Sequence, residues 1–339
     1  MLKNDYHFTV YAISSHTDKN GYHDGYEQIV LRSFKNYKIN IFFYYIQSVL
    51  HALLFRNYNL LHVNHLNSGF IIPLLKLKYR VISTLRGSGK NAMKYDKLGI
   101  FGKRLFLISE YILLKFSDIV VSVSKPHIEY YKKVVHRKIL YIPNGINIED
   151  KIPIDRVIHR DYILFAAGRI LPIKGCHILL NALSEIDFRG KILIIGDLSQ
   201  DPIYTNKIQN LSQDLDVEFL GLIKDKKILL AYLKKAKLFV FPSTIEAMSN
   251  MLLEAISMST PIICSDIPEN RAILDDEDVL FFKTNDVNNL AQKIKWALNF
   301  PSEMTKKAVH ANMKLIKNYT WDKIAMEYDK LYKILIAQQ

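Results

Sequence analysis

The sequence predicts an α/β protein made of two doubly wound domains, and three observations predict it. A chain of 339 residues, 49% hydrophobic and 23% charged, exceeds one ordinary core and suits two. Short runs rich in β-branched and aromatic residues alternate with longer amphipathic stretches, the pattern of βαβ units around a parallel sheet. That series runs twice. The first half offers strands at residues 7–13, 39–44, 60–64, 81–85, 119–122 and 139–142. The second offers 162–166, 191–195, 217–219, 238–241, 261–264 and 279–281. Helices are expected between them, most clearly over 225–237, where Ile228, Leu229, Tyr232, Leu233 and Ala236 form one stripe with lysines opposite. Residues 147–160 contain Pro153, several charges and little helical periodicity, so they read as a linker between domains at 1–155 and 156–321. A long helical pattern at 302–336, with Trp321 near a bend, closes the chain. Ligands are expected at the carboxyl ends of the strands and in the cleft between the domains.

Composition narrows the class further. Two cysteines, Cys176 and Cys264, cannot build a disulfide scaffold and suit a reducing cytoplasm. The first residues lack the basic start and long apolar run of a signal peptide. Residues 41–55 are short for a bilayer and carry Gln47 and His51. Residues 101–123 carry Lys103, Arg104, Glu110, Lys115 and Asp118, so neither segment is expected to span. Charge is uneven: residues 1–150 hold 21 Lys and Arg against 10 Asp and Glu, net +11, whereas 151–339 hold 25 against 23, net +2. A basic half suits an anionic partner (nucleic acid, an acidic membrane or a phosphorylated substrate), and a soluble protein of high pI is the plain alternative. No zinc spacing, RNP-like motif or basic heptad supports nucleic acid.

Two local motifs carry chemistry. Gly168-Arg169 and Lys174-Gly175 follow a strand on a loop that enters a helix. Cations beside the open N–H groups and positive end of a helix can neutralise a diphosphate; an ordinary strand-to-helix turn with solvated charges is the alternative. Farther on, a strand ends at Pro242, a loop carries Glu246, and a helix begins near Ser249. Ser249 and Asn250 suit helix capping, and the amides there can receive phosphate. Glu254 lies over one turn into that helix, where a carboxylate can accept two hydrogen bonds from a ribose diol or be merely solvated.

Together these motifs resemble glycosyltransferase family 4 (glycosyl transferases group 1), retaining enzymes of the GT-B fold, in which two Rossmann-like domains face a deep cleft. That family carries a Gly-Arg…Lys-Gly loop and two glutamates in a Pro-Ser-x-x-Glu…Glu-Ala context, the spacing of Glu246 and Glu254. Lesser marks stand in order: Asp118 before Val121-Ser122-Val123-Ser124, Pro143-Asn144-Gly145, Phe219-Leu220-Gly221, Ser265-Asp266-Ile267-Pro268 and Tyr319-Thr320-Trp321. The resemblance is good from about residue 118 onward and weaker before it. It implies that Arg169 and Lys174, beside Gly168, bind the donor diphosphate, Glu254 the ribose and Glu246 the donor sugar. Arg169, Lys174 and Glu246 are thereby the catalytic candidates. Ala247 and the backbone amides of Met248 and Ser249 would complete the phosphate loop, and Ile223, with Leu222, would face the base. The turn at 21–25 looks like the family's N-terminal glycine loop, so Gly25 would approach the phosphates; a flexible surface loop is its alternative. The resemblance further implies a UDP-sugar donor, no metal or other cofactor, and a glycan or lipid-linked acceptor in bacterial surface polysaccharide synthesis. A final helix at about 322–339 is expected to pack back on the first domain.

The sequence also departs from the family. Ala247 and Ser259-Thr260-Pro261 each lack a usual glycine, and in Leu85-Arg86-Gly87 the pair Arg86-Gly87 stands where many relatives have His-Gly. Arg86 cannot act as a base, since its pKa stays above about 12. In this fold a leaving phosphate oxygen can take the acceptor proton, which leaves charge stabilisation to Arg169 and Lys174. His62 and His65 are nearby substitutes to test, each readable as structural or acceptor-contacting. Arg86-Gly87-Ser88-Gly89-Lys90 resembles the tail of a P-loop, but Thr84 replaces the leading glycine and Asn91 the Ser or Thr, which argues against nucleotide hydrolysis. A basic glycine-rich turn can still hold an anion, so Arg86 and Lys90, with His65, are the acceptor candidates. Lys94, Lys97, Lys103 and Arg104 around Phe101 and 105–108 suit the inner face of an anionic membrane, and a buried helix is the alternative. Competing functions are another GT-B enzyme such as a sugar-nucleotide epimerase, and a catalytically silent partner subunit.

Overall fold

The computed structural model describes residues 5–15, 17–34, 37–89, 99–148, 152–159 and 161–338. Contacts divide the chain into two units, residues 1–143 with 322–339, and residues 144–321. Both are α/β with parallel sheets, the class expected from the sequence.

Unit 1 opens with β1 (Phe8–Ile13), β2 (Gly21–His23) and β3 (Tyr26–Leu31), a sheet in the order β1-β3-β2. β1 runs parallel to β3, and β2 antiparallel to it. The glycine loop expected at 21–25 is therefore a hairpin, whose turn residues Asp24 and Gly25 take φ of 47° and 85°. Two consecutive residues of positive φ match the twist of the strands they join. The strand expected at 39–44 is also not formed, because those residues lie inside α1 (Tyr37–Phe55). Aromatic and β-branched side chains favour a strand locally, but no glycine or proline interrupts the nineteen residues, and a helix satisfies all their backbone groups within the segment.

The unit continues with β4 (Leu60–Val63), a 3-10 segment (Leu66–Ile71), α2 (Ile72–Leu75), β5 (Arg80–Leu85), α3 (Ile100–Phe116), β6 (Ile119–Ser122), α4 (Lys125–Tyr131) and β7 (Leu140–Tyr141). β4 to β7 form a parallel sheet in sequence order. Alternation along β5 sends Val81 and Leu85 into a cluster with Val49, Leu66, Ile72 and Leu113, while Ile82 joins the opposite cluster. In that second cluster Ile324, Leu331 and Leu335 of the chain's last helix cover the sheet.

Unit 2 contains β8 (Ile163–Arg169), α5 (Cys176–Glu185), β9 (Ile192–Asp197), α6 (Pro202–Leu211), β10 (Val217–Gly221), α7 (Lys226–Lys235), β11 (Leu238–Phe241), α8 (Asn250–Ser257), β12 (Ile262–Ser265), α9 (Pro268–Arg271), β13 (Leu280–Phe282), α10 (Val287–Asn299) and α11 (Pro301–Asn318). Its six strands are all parallel, in the order β10-β9-β8-β11-β12-β13. Helices cover both faces of such a sheet, which is why β9, β11 and β12 read as nearly unbroken apolar runs. Asp225 caps α7 by accepting from Lys227 N at 2.9 Å, and Asp286 caps α10 by accepting from Asn289 N at 2.9 Å. Phe165, Leu179, Ile194, Val240 and Leu290 share one core, each worth roughly 1.5–3 kcal/mol on burial. Cys176 belongs to that core, and Cys264 lies on β12; both are buried free thiols.

The pattern at 302–336 divides at the bend expected near Trp321: α11 ends at Asn318, and α12 (Trp321–Ile336) follows. The break is fixed by Thr320, which bridges to Ile146, with Ile146 N donating to Tyr319 O at 2.8 Å and Trp321 N to Ile146 O at 3.0 Å. The residue that follows the Pro-Asn-Gly mark thus meets the Tyr-Thr-Trp mark through the backbone. Among the described residues, no helix is long and apolar enough to cross a membrane.

Candidate active site

Strand order decides where unit 2 can hold a ligand. From β8 the chain moves to β9 and β10 on one side, and from β11 to β12 and β13 on the other. The loops that follow β8 and β11 therefore part at the carboxyl edge, where a parallel sheet leaves a crevice. The two sequence motifs sit on those loops.

Gly168 and Arg169 end β8 and are exposed. The chain then makes a 3-10 turn (Pro172–Lys174) and reaches Gly175, whose φ is 75° and whose added Cβ would lie 2.1 Å from the Pro242 carbonyl. Only glycine permits both that turn and that approach. The two loops are laced together, with Thr244 N donating to Ile173 O at 2.8 Å. Lys174 Nζ meets Glu246 Oε1 at 2.6 Å, and Ser243 Oγ donates to the same oxygen at 2.6 Å. The Glu246 side chain is only 9% exposed. A cation and a carboxylate that the sequence separates by 72 positions are thus in contact across the switch point.

Arg169 lies opposite Asp197 of β9. The Asp197 carboxyl is held below its usual range, first by hydrogen bonds from Ser199 and also by the Arg169 charge. Ser249 caps α8, accepting from Leu252 N at 3.3 Å, with Ala247 and Met248 immediately before it. Asn144, buried, braces this loop: its side-chain amide donates to Met248 O at 3.1 Å. Glu254 is not a solvated helix residue, being 9% exposed and ion-paired to Lys226 at the start of α7. Ile223 lies on the loop that joins β10 to α7, at the same carboxyl edge. In the sequence Lys226 stands out only as one of the lysines opposite the α7 stripe, and Ser243 and Asn144 only as family marks.

Unit 1 has its own polar cluster. His62 is locked rather than free, with Nδ1 2.7 Å from Tyr332 OH and Nε2 2.7 Å from Thr84 Oγ1. Tyr328 OH closes the group, 3.1 Å from Thr84 Oγ1. Burial, aided by the Arg86 charge, pushes the His62 pKa down to about 4, so the ring is neutral and both nitrogens are engaged. That identifies His62 as structural and removes it as a substitute base. His65 caps the 3-10 segment, accepting from Asn67 N at 3.2 Å, and desolvation lowers its pKa. Arg86 is exposed at the carboxyl end of β5. The turn after it is braced by buried Glu110, which accepts from Gly89 N at 2.7 Å and from Tyr131 OH at 2.5 Å. Desolvation raises the Glu110 pKa. Gly25 occupies the β2–β3 turn of the same unit. Lys90, Lys94 and Lys97 lie outside the described residues.

Among the described residues, Asp275, Glu277 and His310 have the spacing of metal ligands, but all three are exposed and Lys314 Nζ meets Asp275 Oδ2 at 2.8 Å. They belong to none of the motif loops.

Residues 161–299 match the family described as glycosyl transferases group 1, and residues 1–150 match glycosyltransferase family 4. An uncharacterized glycosyltransferase of Methanocaldococcus jannaschii is 26% identical over 79% of this chain and 72% of its own length. The N-acetylgalactosamine-N,N'-diacetylbacillosaminyl-diphospho-undecaprenol 4-alpha-N-acetylgalactosaminyltransferase of Campylobacter jejuni is 24% identical over 68% of this chain and 63% of its own length. Among solved structures, sucrose-phosphate synthase from Thermosynechococcus elongatus superposes with a TM-score of 0.84 at 22% identity, covering 98% of this chain and 90% of that one. HepE from Anabaena, in complex with UDP-glucose, gives 0.77 at 14% identity, covering 91% and 86%.

Proposed function

Since this chain is a GT-B glycosyltransferase, we propose that it moves a sugar, with retention of configuration, from a UDP-sugar to a lipid-linked glycan in bacterial surface polysaccharide synthesis. The observation that carries this is the Lys174–Glu246 pair at the switch point, beside Gly168-Arg169. An anion and a hydroxyl-rich ring both find partners there, one in the cations and the other in the carboxylate.

In this reading Arg169 and Lys174 neutralise the diphosphate, aided by the open amides around Met248 and Ser249. Lys174 exchanges Glu246 for phosphate oxygens on donor binding, which frees Glu246 to accept hydrogen bonds from the sugar. Glu254 accepts the ribose hydroxyls. The bond from the anomeric carbon to the diphosphate oxygen breaks, and the acceptor oxygen bonds to that carbon on the same face. The acceptor proton passes to the departing phosphate oxygen, so no protein base is required and Arg86 in place of histidine is tolerated. Charge stabilisation by preorganised cations is the largest contribution the protein can make to such a step, and it makes the mechanism metal-independent. The Campylobacter relative's name specifies a diphospho-undecaprenol acceptor, and HepE was solved with UDP-glucose, which supports both substrate classes.

The test is UDP release from a panel of UDP-sugars, with and without a polyprenyl-diphosphate glycan, and the anomeric configuration of the product. Acceptor-stimulated release with the donor's configuration kept is expected. Binding of UDP without release from any donor would instead favour a silent partner subunit.

A further inference from the structure

The mark Ser265-Asp266-Ile267-Pro268 has no part in the mechanism above, yet the structure ties it to the loop that carries Glu246. β12 pairs with β11, so Ser265 at the end of one strand neighbours the chain that leaves the other. Ser265 Oγ donates to Ser243 O at 2.5 Å. Asn270, on α9, donates through Nδ2 to Ser265 O at 2.9 Å and lies 3.3 Å from Ser265 Oγ. Ser243 and Ser265 are fully buried, and Asn270 is nearly so. Buried polar groups persist where each has a partner, so these three form a fixed chain and not a solvated cluster. Its far end is the Ser243 hydroxyl, which donates to Glu246 Oε1 at 2.6 Å. A hydroxyl carries one proton, and Glu246 is both nearer than Ile173 O, at 3.2 Å, and charged.

Lys174 and Ser243 thus meet one carboxylate oxygen, but they differ in freedom. The lysine ammonium rides on a flexible four-carbon stem and can swing to a phosphate oxygen. The serine side chain is short, and its backbone carbonyl is held by Ser265. We infer that Ser243, anchored through Ser265 and Asn270, is the positioning residue that keeps Glu246 aimed while Lys174 turns to the donor diphosphate. This rests on the reading of Glu246 as the contact to the donor sugar, and adds the residues that fix its direction. An ionised carboxylate in a nearly buried place, once its cation leaves, is kept there by charge-assisted hydrogen bonds. Ser243 acts through Glu246, and Asn144 holds the other end of the loop separately at Met248 O. Loss of the tether is therefore expected to weaken recognition of the sugar and to spare that of the nucleotide.

The experiment has two arms on the full chain, with thermal melting as the check on folding. Calorimetry compares UDP-glucose and UDP-N-acetylglucosamine with UDP. The ratio of UDP-sugar to UDP affinity is expected to fall about tenfold or more in Ser243→Ala, and about threefold in Asn270→Ala, which acts at a remove. Ser243→Cys keeps the shape with a weak donor and is expected to follow Ser243→Ala. Added to Glu246→Ala, Ser243→Ala is expected to change the ratio no further. In the second arm, amide hydrogen exchange at residues 243–247 without ligand is expected to quicken in Asn270→Ala. An unchanged ratio in folded Ser243→Ala would overturn the inference, and so would an equal loss of UDP and UDP-sugar or unchanged exchange in Asn270→Ala. A ratio that Glu246→Ala leaves unchanged would instead overturn the sugar-contact reading, while the exchange arm still judges the tether.

Discussion

Unit 2 and unit 1 use the same architecture, parallel strands covered by helices, yet place their unusual residues differently. In unit 2 the telling charges sit at the carboxyl edge and come in opposite-sign couples: Lys174 with Glu246, Lys226 with Glu254, and Arg169 across from Asp197. The unit is otherwise nearly neutral. In unit 1 the polar groups that do couple are structural, as in His62 with Thr84 and Tyr332, while positive charge and exposed apolar side chains spread over a whole layer. The difference teaches how ligand size is encoded. A small ligand of fixed geometry needs only a few residues, and the ends of loops after parallel strands are where a fold can place them.

The sharpest way to break that contrast is Lys174→Ala. It removes one preorganised cation from the switch point, and kcat/KM for transfer is expected to fall by about 10²–10³-fold, measured by UDP release. Arg86→Ala, made on unit 1, is expected to raise the acceptor KM about tenfold while leaving donor hydrolysis as it was. If both variants lose donor hydrolysis equally, the division between donor and acceptor units is wrong.

A second prediction concerns pH. The folded pKa of His62, about 4, lies below the unfolded value near 6.5, so the unfolded chain binds the extra proton first as pH falls. Stability from the neutral, doubly bonded ring is therefore full above about pH 6.5 and lost progressively toward pH 4, by on the order of 3 kcal/mol. Urea midpoints across this window should slope in the wild type and flatten in His62→Gln. Equal slopes would mean that the ring is not held neutral.

The smallest effect is expected at the brace. Asn144→Ala leaves Met248 O without its buried donor, at a cost of about 1–3 kcal/mol, and should raise the donor KM through the loosened 246–249 loop. An unchanged KM would show that the loop holds its shape unaided.

Much of this was legible in the sequence, and what was not has identifiable causes. The strands at 81–85, 119–122 and 238–241 were readable because buried parallel strands are short apolar runs between turns. The placement of Arg169, Lys174 and Glu246 on loops after strands, and of Glu254 just past the first turn of a helix, was readable because these are local features. The hairpin of β2 and β3 was overlooked although Asp24-Gly25 is a strong two-residue turn signal, because polar Glu27 and Gln28 weakened the strand pattern. α1 was misread because five β-favouring residues at 39–44 outweighed the length of the uninterrupted segment around them. The Asn144 brace joins residues 104 positions apart, and the Lys226–Glu254 pair joins two helices; neither leaves any periodic or spacing signature.

Calorimetric titration of UDP and of uridine into the wild type and Arg169→Ala/Lys174→Ala reaches most directly the claim that two side chains of unit 2 hold the diphosphate. UDP should bind the wild type and be lost from the double variant, while uridine binds both weakly and alike. Equal UDP affinity in the two proteins would contradict the account.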